Sequence, residues 1–284
     1  MILVTGATGN VGREAVRLLL EAGAEPMAVT RDPAAALPDG ARRTVGDPSR
    51  PASIASALDG VEAILLSPRA VGGSAAELLA LAAERGVTRV VVLSAVTVVY
   101  PVGLPRFAAE FRAVEDAAIS SGLQATMLRS ADYDANTLAW APQIRATGIV
   151  RGAYRDAITS SIDERDIAAV AARALLDPSH AGRSYLLTGP EPLSQDDKVR
   201  LIGRAVGRDL AFEELQPEQV RAGMLAAGLP EDVPDRLLGS LADYAKQPGP
   251  TSTTVAEVLG RPARTFAEWA VDHAAAFRPD GSDR

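Results

Sequence analysis

The 284-residue sequence has no cysteine and only two histidines, His180 and His273. The first absence excludes disulfides, thiolate metal sites and a cysteine nucleophile. The second leaves almost no material for a multi-histidine metal centre or a Ser-His-Asp triad, so no metal is expected. Lysine is scarce as well: Lys198 is the first in the chain. A net charge of −7 argues against a nucleic-acid partner, because phosphate binding needs concentrated Lys and Arg. No stretch approaches the roughly 18 consecutive apolar residues of a membrane span. The opening MILVTGATG enters a strand at once and leaves no room for a signal peptide, so a cytoplasmic protein is expected.

What remains is ordinary globular composition, 47% hydrophobic and 23% charged, in a chain long enough to bury a large core without staples. The first half alternates short apolar runs with helical patterns, the mark of a parallel sheet with crossover helices. Strands are expected at Ile2–Thr5, Met27–Thr30, Arg43–Val45, Ala63–Leu66, Val90–Leu93 and Ala125–Leu128. Helices are expected near Val11–Glu21, Ser53–Leu58, Ser74–Arg85 and Arg106–Ser121, with Gly86 and Gly122 as stop signals. Six strands and five crossovers make one doubly wound α/β sheet of Rossmann type over residues 1–130.

From residue 131 to 284 the pattern predicts a smaller, mostly helical C-terminal lobe, interleaved with the first half and closing over its ligand. Helices are read at Ala135–Ile144, Asp163–Leu176, after Ser194, and at Pro217–Ala227, Asp235–Ala245 and Phe266–Ala276. Strands are read at Ser184–Thr188 and Leu210–Glu214, and a frayed end over RPDGSDR.

The strongest motif is TGATGNVG, Thr5–Gly12, between the first strand and the first helix. Glycines 6, 9 and 12 let the backbone turn tightly and approach a pyrophosphate, and the helix N-terminus offers unpaired N–H groups to the phosphates. Gly6, Thr8, Gly9, Asn10, Val11 and Gly12 are therefore candidate dinucleotide contacts.

The spacing is G-x-x-G-x-x-G, and with the Thr and Asn of GATGN it resembles the extended and atypical short-chain dehydrogenase/reductase superfamily. GLQATMLR (Gly122–Arg129), Val114-Glu115 and SYLLTGP (Ser184–Pro190) resemble further segments of its NmrA-like, NAD(P)H-binding branch, which includes bacterial NADPH:quinone reductases. Arg31 immediately follows the second strand, where a guanidinium can pair with a 2′-phosphate. The resemblance likewise implies NADPH for an Arg there, so NADP(H) is favoured and NAD(H) is the alternative. Asp32 could serve a ribose or cap the next turn. Asp47 would border the adenine by resemblance, or start a helix. Ser67 and Pro68 follow the fourth strand on the ribose side, and Ser94 follows the fifth, near the nicotinamide.

Typical members of the superfamily carry Y-x-x-x-K on the helix after the fifth strand. The matching positions here are Phe107 and Phe111, and neither ring transfers a proton. No lysine lies near in sequence to replace the missing one. These rings are read either as core or as the apolar wall of a substrate pocket, together with Asp132, Tyr133, Asn136 and Trp140. Tyr133 and Ser94 are the candidate proton donors, and Tyr100 and Tyr154 are further tyrosines in loops. Arg106 and Glu110 read as a solvated helix face.

The resemblance thus implies an NADPH-dependent oxidoreductase, monomer or homodimer, that passes hydride to a small, flat, conjugated acceptor such as a quinone or enone. Two other readings stand beside it: a non-catalytic dinucleotide-binding redox sensor, and a specialised-metabolism enzyme using the scaffold for unusual or non-redox chemistry.

Overall fold

The structure is a computed structural model describing residues 1–279; residues 280–284, most of the expected frayed end, lie outside the described residues. The first half follows the alternation read from the pattern: β1 Ile2–Val4, α1 Asn10–Glu21, β2 Pro26–Thr30, β3 Arg42–Val45, β4 Ala63–Leu66, α2 Pro68–Val71 and α3 Ala75–Glu84. β5 Arg89–Ala95, α4 Pro105–Ser120 and β6 Gln124–Ser130 complete it. The run Pro51–Leu58 is a 3₁₀ rather than an α-helix. After β6 come α5 Ala141–Thr147, β7 Ile149–Gly152, α6 Glu164–Leu176, β8 Ser184–Leu187, α7 Gln195–Val206 and β9 Ala211–Glu214. α8 Pro217–Ala226, α9 Asp232–Tyr244, α10 Thr254–Leu259, α11 Phe266–Asp272 and α12 Ala274–Phe277 end the described chain.

One sheet holds seven strands in the order β3-β2-β1-β4-β5-β6-β8, every pair parallel. Leu3 of β1 sits opposite both Met27 of β2 and Ile64 of β4. The central strands are apolar without alternation because helices cover both faces. α1 and α6 cover one face, α3 and α4 the other. The strand order reverses between β1 and β4, and ligands of such sheets bind outside the carboxyl ends of the strands at this point.

The sheet read from sequence has six strands; the seventh is β8, which pairs with β6 and places Leu128 opposite Tyr185. The physical cause is α6. Its Ile167, Ala168, Val170, Ala171 and Leu175 are buried in the core shared with α1, and this packing carries the chain back to the sheet edge. β7 was not legible: four residues make no periodic signal, and its partner β9 is far away in the chain. α10 and the short α2 were likewise not legible. The helix expected at Ala135–Ile144 is a 3₁₀ segment, Asp134–Trp140, leading into α5, and the one expected at Phe266–Ala276 is broken at His273.

The remaining elements form a second hydrophobic core. Ile144, Val150, Val199, Ile202, Phe212, Phe266, Trp269 and Phe277 meet there. A smaller cluster of Ala157, Leu241 and Tyr244 joins α9 to the loop after β7.

Candidate active site

The glycine turn bridges β1 and α1 with backbone alone. Gly6 has φ +67°, and a Cβ on it would lie 2.9 Å from the Ser67 Cβ after β4. A Cβ on Gly12 would lie 2.2 Å from the Gly6 carbonyl oxygen, so α1 packs against the turn as closely as a helix can. Thr5 fixes the two strand ends: its hydroxyl donates to Leu65 O at 2.9 Å and accepts from the Ser67 N–H at 2.8 Å. Gly9 is the N-cap of α1 and supplies no side-chain acceptor, which leaves the first-turn N–H groups free to meet an anion. Thr8, Gly9 and Asn10 are exposed at this spot. The cradle fits a dinucleotide pyrophosphate. Val11 is a partial correction: its side chain is 4% exposed and belongs to the core, so only its N–H is available to a ligand.

On the adenosine side, Arg31 is exposed at the end of β2. Asp32 accepts from the Ala34 N–H at 2.8 Å, so it caps a turn. Asp47 accepts from both the Ser49 N–H (3.1 Å) and the Ser49 hydroxyl (2.8 Å). These bonds hold its carboxyl below the usual carboxylate range, helped by the nearby cations Arg31 and Arg50. Ser67 and Pro68 sit half-buried beside the glycine turn.

Ser94 requires a correction. Its hydroxyl is 2% exposed and donates to Glu115 Oε1 at 2.5 Å. Arg129 holds the same carboxylate through Nε (2.9 Å) and a second guanidinium nitrogen (2.6 Å). Alternation along β5 turns the Ser94 side chain under α4, so it braces the sheet and has no free proton for a ligand.

Phe107 and Phe111 stand at the positions of the missing pair. Phe107 is 5% exposed, with the guanidinium carbons of Arg106 and Arg236 at 4.7 and 4.3 Å from its ring centre. Without a ligand it offers almost no surface to an acceptor, whereas Phe111 is half-buried. Arg106 and Glu110 are exposed, and they also tie α4 to α9 through Asp235 and Arg236, both at 3.0 Å.

The segment after β6 leaves the carboxyl end of the strand next to β5. The N–H of Ile162 donates to Asp132 O (2.9 Å) and that of Asp134 to Ile162 O (3.0 Å), a short parallel bridge centred on Tyr133. Tyr133 packs between the two large cores, and burial pushes its hydroxyl up. Asn136 is exposed, and Trp140 is half-buried against the second core. Tyr100 lies 48% exposed in the β5–α4 loop, and Tyr154 has φ +58°.

One buried charge beside this segment was not legible in the sequence. Lys198 on α7 is 4% exposed, donates to the Thr159 hydroxyl at 2.7 Å, and lies within electrostatic reach of Asp132 and Asp134. A lysine search confined to α4 could not find it, because only the folded lobe brings α7 to the end of β6.

Residues 6–178 match the model of a family described as NAD(P)H-binding. Over 284 residues the chain is 37% identical to the (4-alkanoyl-5-oxo-2,5-dihydrofuran-3-yl)methyl phosphate reductase of Streptomyces griseus, covering 99% of this chain and 100% of the relative. It is 36% identical to the NAD(P)H azoreductase of Xenophilus azovorans, covering 98% and 99%. The NADPH-dependent quinone oxidoreductase of Escherichia coli, solved with NADPH, superimposes with a TM-score of 0.84 at 28% identity, over 96% of this chain and 99% of that one.

Proposed function

This chain belongs to the NAD(P)H-binding family, in the atypical, NmrA-like group of short-chain dehydrogenases/reductases, and is an NAD(P)H-dependent oxidoreductase. From that premise we propose that it reduces small, flat acceptors whose conjugated π-system takes up the hydride charge, with NADPH preferred over NADH. The observation that carries this reading is the α4 wall, where Phe107 and Phe111 supply no proton. General acid help is worth roughly 10²–10⁴-fold to a carbonyl reduction, and α4, where the superfamily's donor pair stands, gives none of it, which favours an acceptor that spreads much of the charge itself.

The chemistry in the relatives' names supports the same class. A quinone and an azo group both spread incoming charge over a conjugated system. A 4-alkanoyl-5-oxo-2,5-dihydrofuran does so across two carbonyls: hydride at ring C3 leaves the charge on C4, between the alkanoyl and the ring carbonyl. We place activated alkenes of this acyl-lactone kind first and quinones second, because the lactone-phosphate reductase matches this chain over its full length.

When bound, NADPH supplies the hydride. The chain's own residues do the rest. The free N–H groups of α1 hold the pyrophosphate, Arg31 meets the 2′-phosphate, and Ser67 and Pro68 border the ribose. Tyr133, Asn136 and Trp140, with Phe111 opposite, bound the acceptor.

The test is stopped-flow NADPH oxidation against a 2-acylbutenolide, a para-quinone, an azo dye, a simple enone and an unactivated ketone. Turnover of the first three, with little on the ketone, is the expected result. Preferential turnover of the ketone would overturn the reading, and tight NADPH binding without turnover of any acceptor would favour a dinucleotide sensor.

A further inference from the structure

The pocket reading above leaves three ionisable side chains at the end of β6 without a role. Asp132 lies two residues beyond that strand, on the carboxyl side of the sheet where the acceptor belongs. Its carboxylate is solvent-accessible and makes no hydrogen bond among the described residues. Asp134 opens the 3₁₀ segment that follows and is 0% exposed, and neither of its oxygens has a hydrogen-bond partner. The buried Ser161 hydroxyl is beside it. Lys198 faces both acids from α7, buried and anchored on Thr159, with Phe266 under its ammonium at 5.9 Å. Unpartnered buried polar atoms are rare in folded proteins, and a catalytic role is one of the explanations for them. Here one carboxylate, Asp134, and one cation, Lys198, are enclosed together, and Asp132 beside them is exposed.

We propose that Asp132 is the catalytic acid of this reductase, that Lys198 is the positioning cation receiving the charge Asp132 is left with, and that Asp134 balances Lys198 from behind. The inference rests on the proposed reduction of a conjugated acceptor. As NADPH is oxidised and the acceptor gains two electrons, the acceptor becomes an anion. The O–H bond of Asp132 then breaks, and its proton bonds to the acceptor atom that carries the new electron pair. The electrons of the O–H bond stay on the carboxylate, facing the Lys198 ammonium. Solvent re-protonates Asp132 through the open cleft after the product leaves. The titratable groups within electrostatic reach of Asp132 are Lys198 from α7, Tyr244 from α9 and the adjacent Tyr133. Although the side chain reaches solvent, the surrounding protein desolvates its carboxyl and raises it above the usual range, against the pull of Lys198, which suits a group that must hold a proton and then release it.

The experiment uses D132N, K198M and K198R in the full chain. NADPH affinity is read by nucleotide fluorescence, and single-turnover rates are read from pH 5 to 9 with a 2-acylbutenolide and a para-quinone. D132N should bind NADPH normally and lose about 100-fold in rate on the acyl-lactone, less on the quinone, whose oxygens exchange protons with water. Wild type should lose rate as pH rises through the Asp132 carboxyl, D132N should lack that limb, and K198M should move it upward. K198R should keep it in place. A separate ¹³C NMR titration of the cofactor-free protein should show the Asp132 carboxyl rising in K198M. A D132N enzyme with full rate and an intact limb would overturn the assignment. So would an Asp132 titration indifferent to K198M. If wild type reduces neither acceptor, the proposed function fails while the NMR titration still decides whether Asp132 and Lys198 act as a pair.

Discussion

The two halves of the cleft recognise by opposite means. At the ends of β1 and β4 the protein withdraws its side chains: the glycine turn presents bare backbone, and α1 begins with uncapped N–H groups. At the ends of β5 and β6 it buries charge: Glu115 with Arg129 under α4, and Asp134 with Lys198 behind Asp132. The cofactor half suits a ligand whose charge is fixed, the phosphates of a dinucleotide. The acceptor half suits a partner whose charge changes during the reaction, since enclosed titratable groups respond to it.

The largest expected effect tests whether the halves are separable. Gly9 has φ −81°, which any residue adopts, and the nearest atom to an added Cβ is the Gly6 carbonyl oxygen at 3.3 Å. Gly9→Val should therefore fold, yet lose NADPH affinity by at least about 100-fold, because the side chain takes the place of the pyrophosphate. Fluorescence titration beside a thermal melt checks both statements. Normal binding would show that the turn is not the phosphate site.

Next comes the floor of the acceptor half. Glu115 is 3% exposed and accepts from Ser94 and twice from Arg129. Glu115→Ala strands a partly buried guanidinium and a buried hydroxyl, at a cost of about 3–5 kcal/mol, or on the order of 10 °C in melting temperature. A loss below about 1 kcal/mol would mean that this charge pair carries little of the floor's stability.

Asp134 gives the half its pH signature. Burial pushes its carboxyl from 3.8 to about 7, against the pull of Ser161 and Lys198. A carboxyl raised on folding contributes stability below its unfolded value and loses it as pH rises through the folded value. The gap corresponds to at most about 4 kcal/mol, surrendered between pH 4 and 7. Asp134→Asn should flatten that fall, and at pH 8 it should melt higher than wild type. Parallel melting curves for the two proteins from pH 4 to 8 would contradict this account.

The smallest effect returns to the cofactor half. Arg31→Ala should weaken NADPH binding by about 1.5–3 kcal/mol, roughly ten- to hundred-fold, and leave NADH binding nearly unchanged. Equal losses for both cofactors would place Arg31 away from the 2′-phosphate.

The difference between the halves also explains what could be read in advance. Gly6, Gly9, Gly12 and Arg31 lie in one βαβ unit, where chain order and spatial order coincide, so their spacing carries their role. Ser94 was misjudged because a position at a strand end does not say which face its side chain takes; the Glu115–Arg129 pair under α4 takes it. Phe107 was read as pocket or core, and Arg236 arriving from α9 covers it. Lys198 was not legible as a neighbour of Asp132, because α7 and the end of β6 are far apart in the chain.

The sequence by itself determined the parallel sheet, the glycine cradle, the arginine after β2 and the absence of a proton donor on α4. Each follows from local periodicity or from spacing within a single unit. Only the tertiary structure decided that β8 joins the sheet as a seventh strand and that Lys198 meets Asp132 and Asp134. Those contacts depend on α6 packing against α1 and on the second core built around Trp269. Such burial is a property of surfaces far apart in the chain, so no window of sequence contains it.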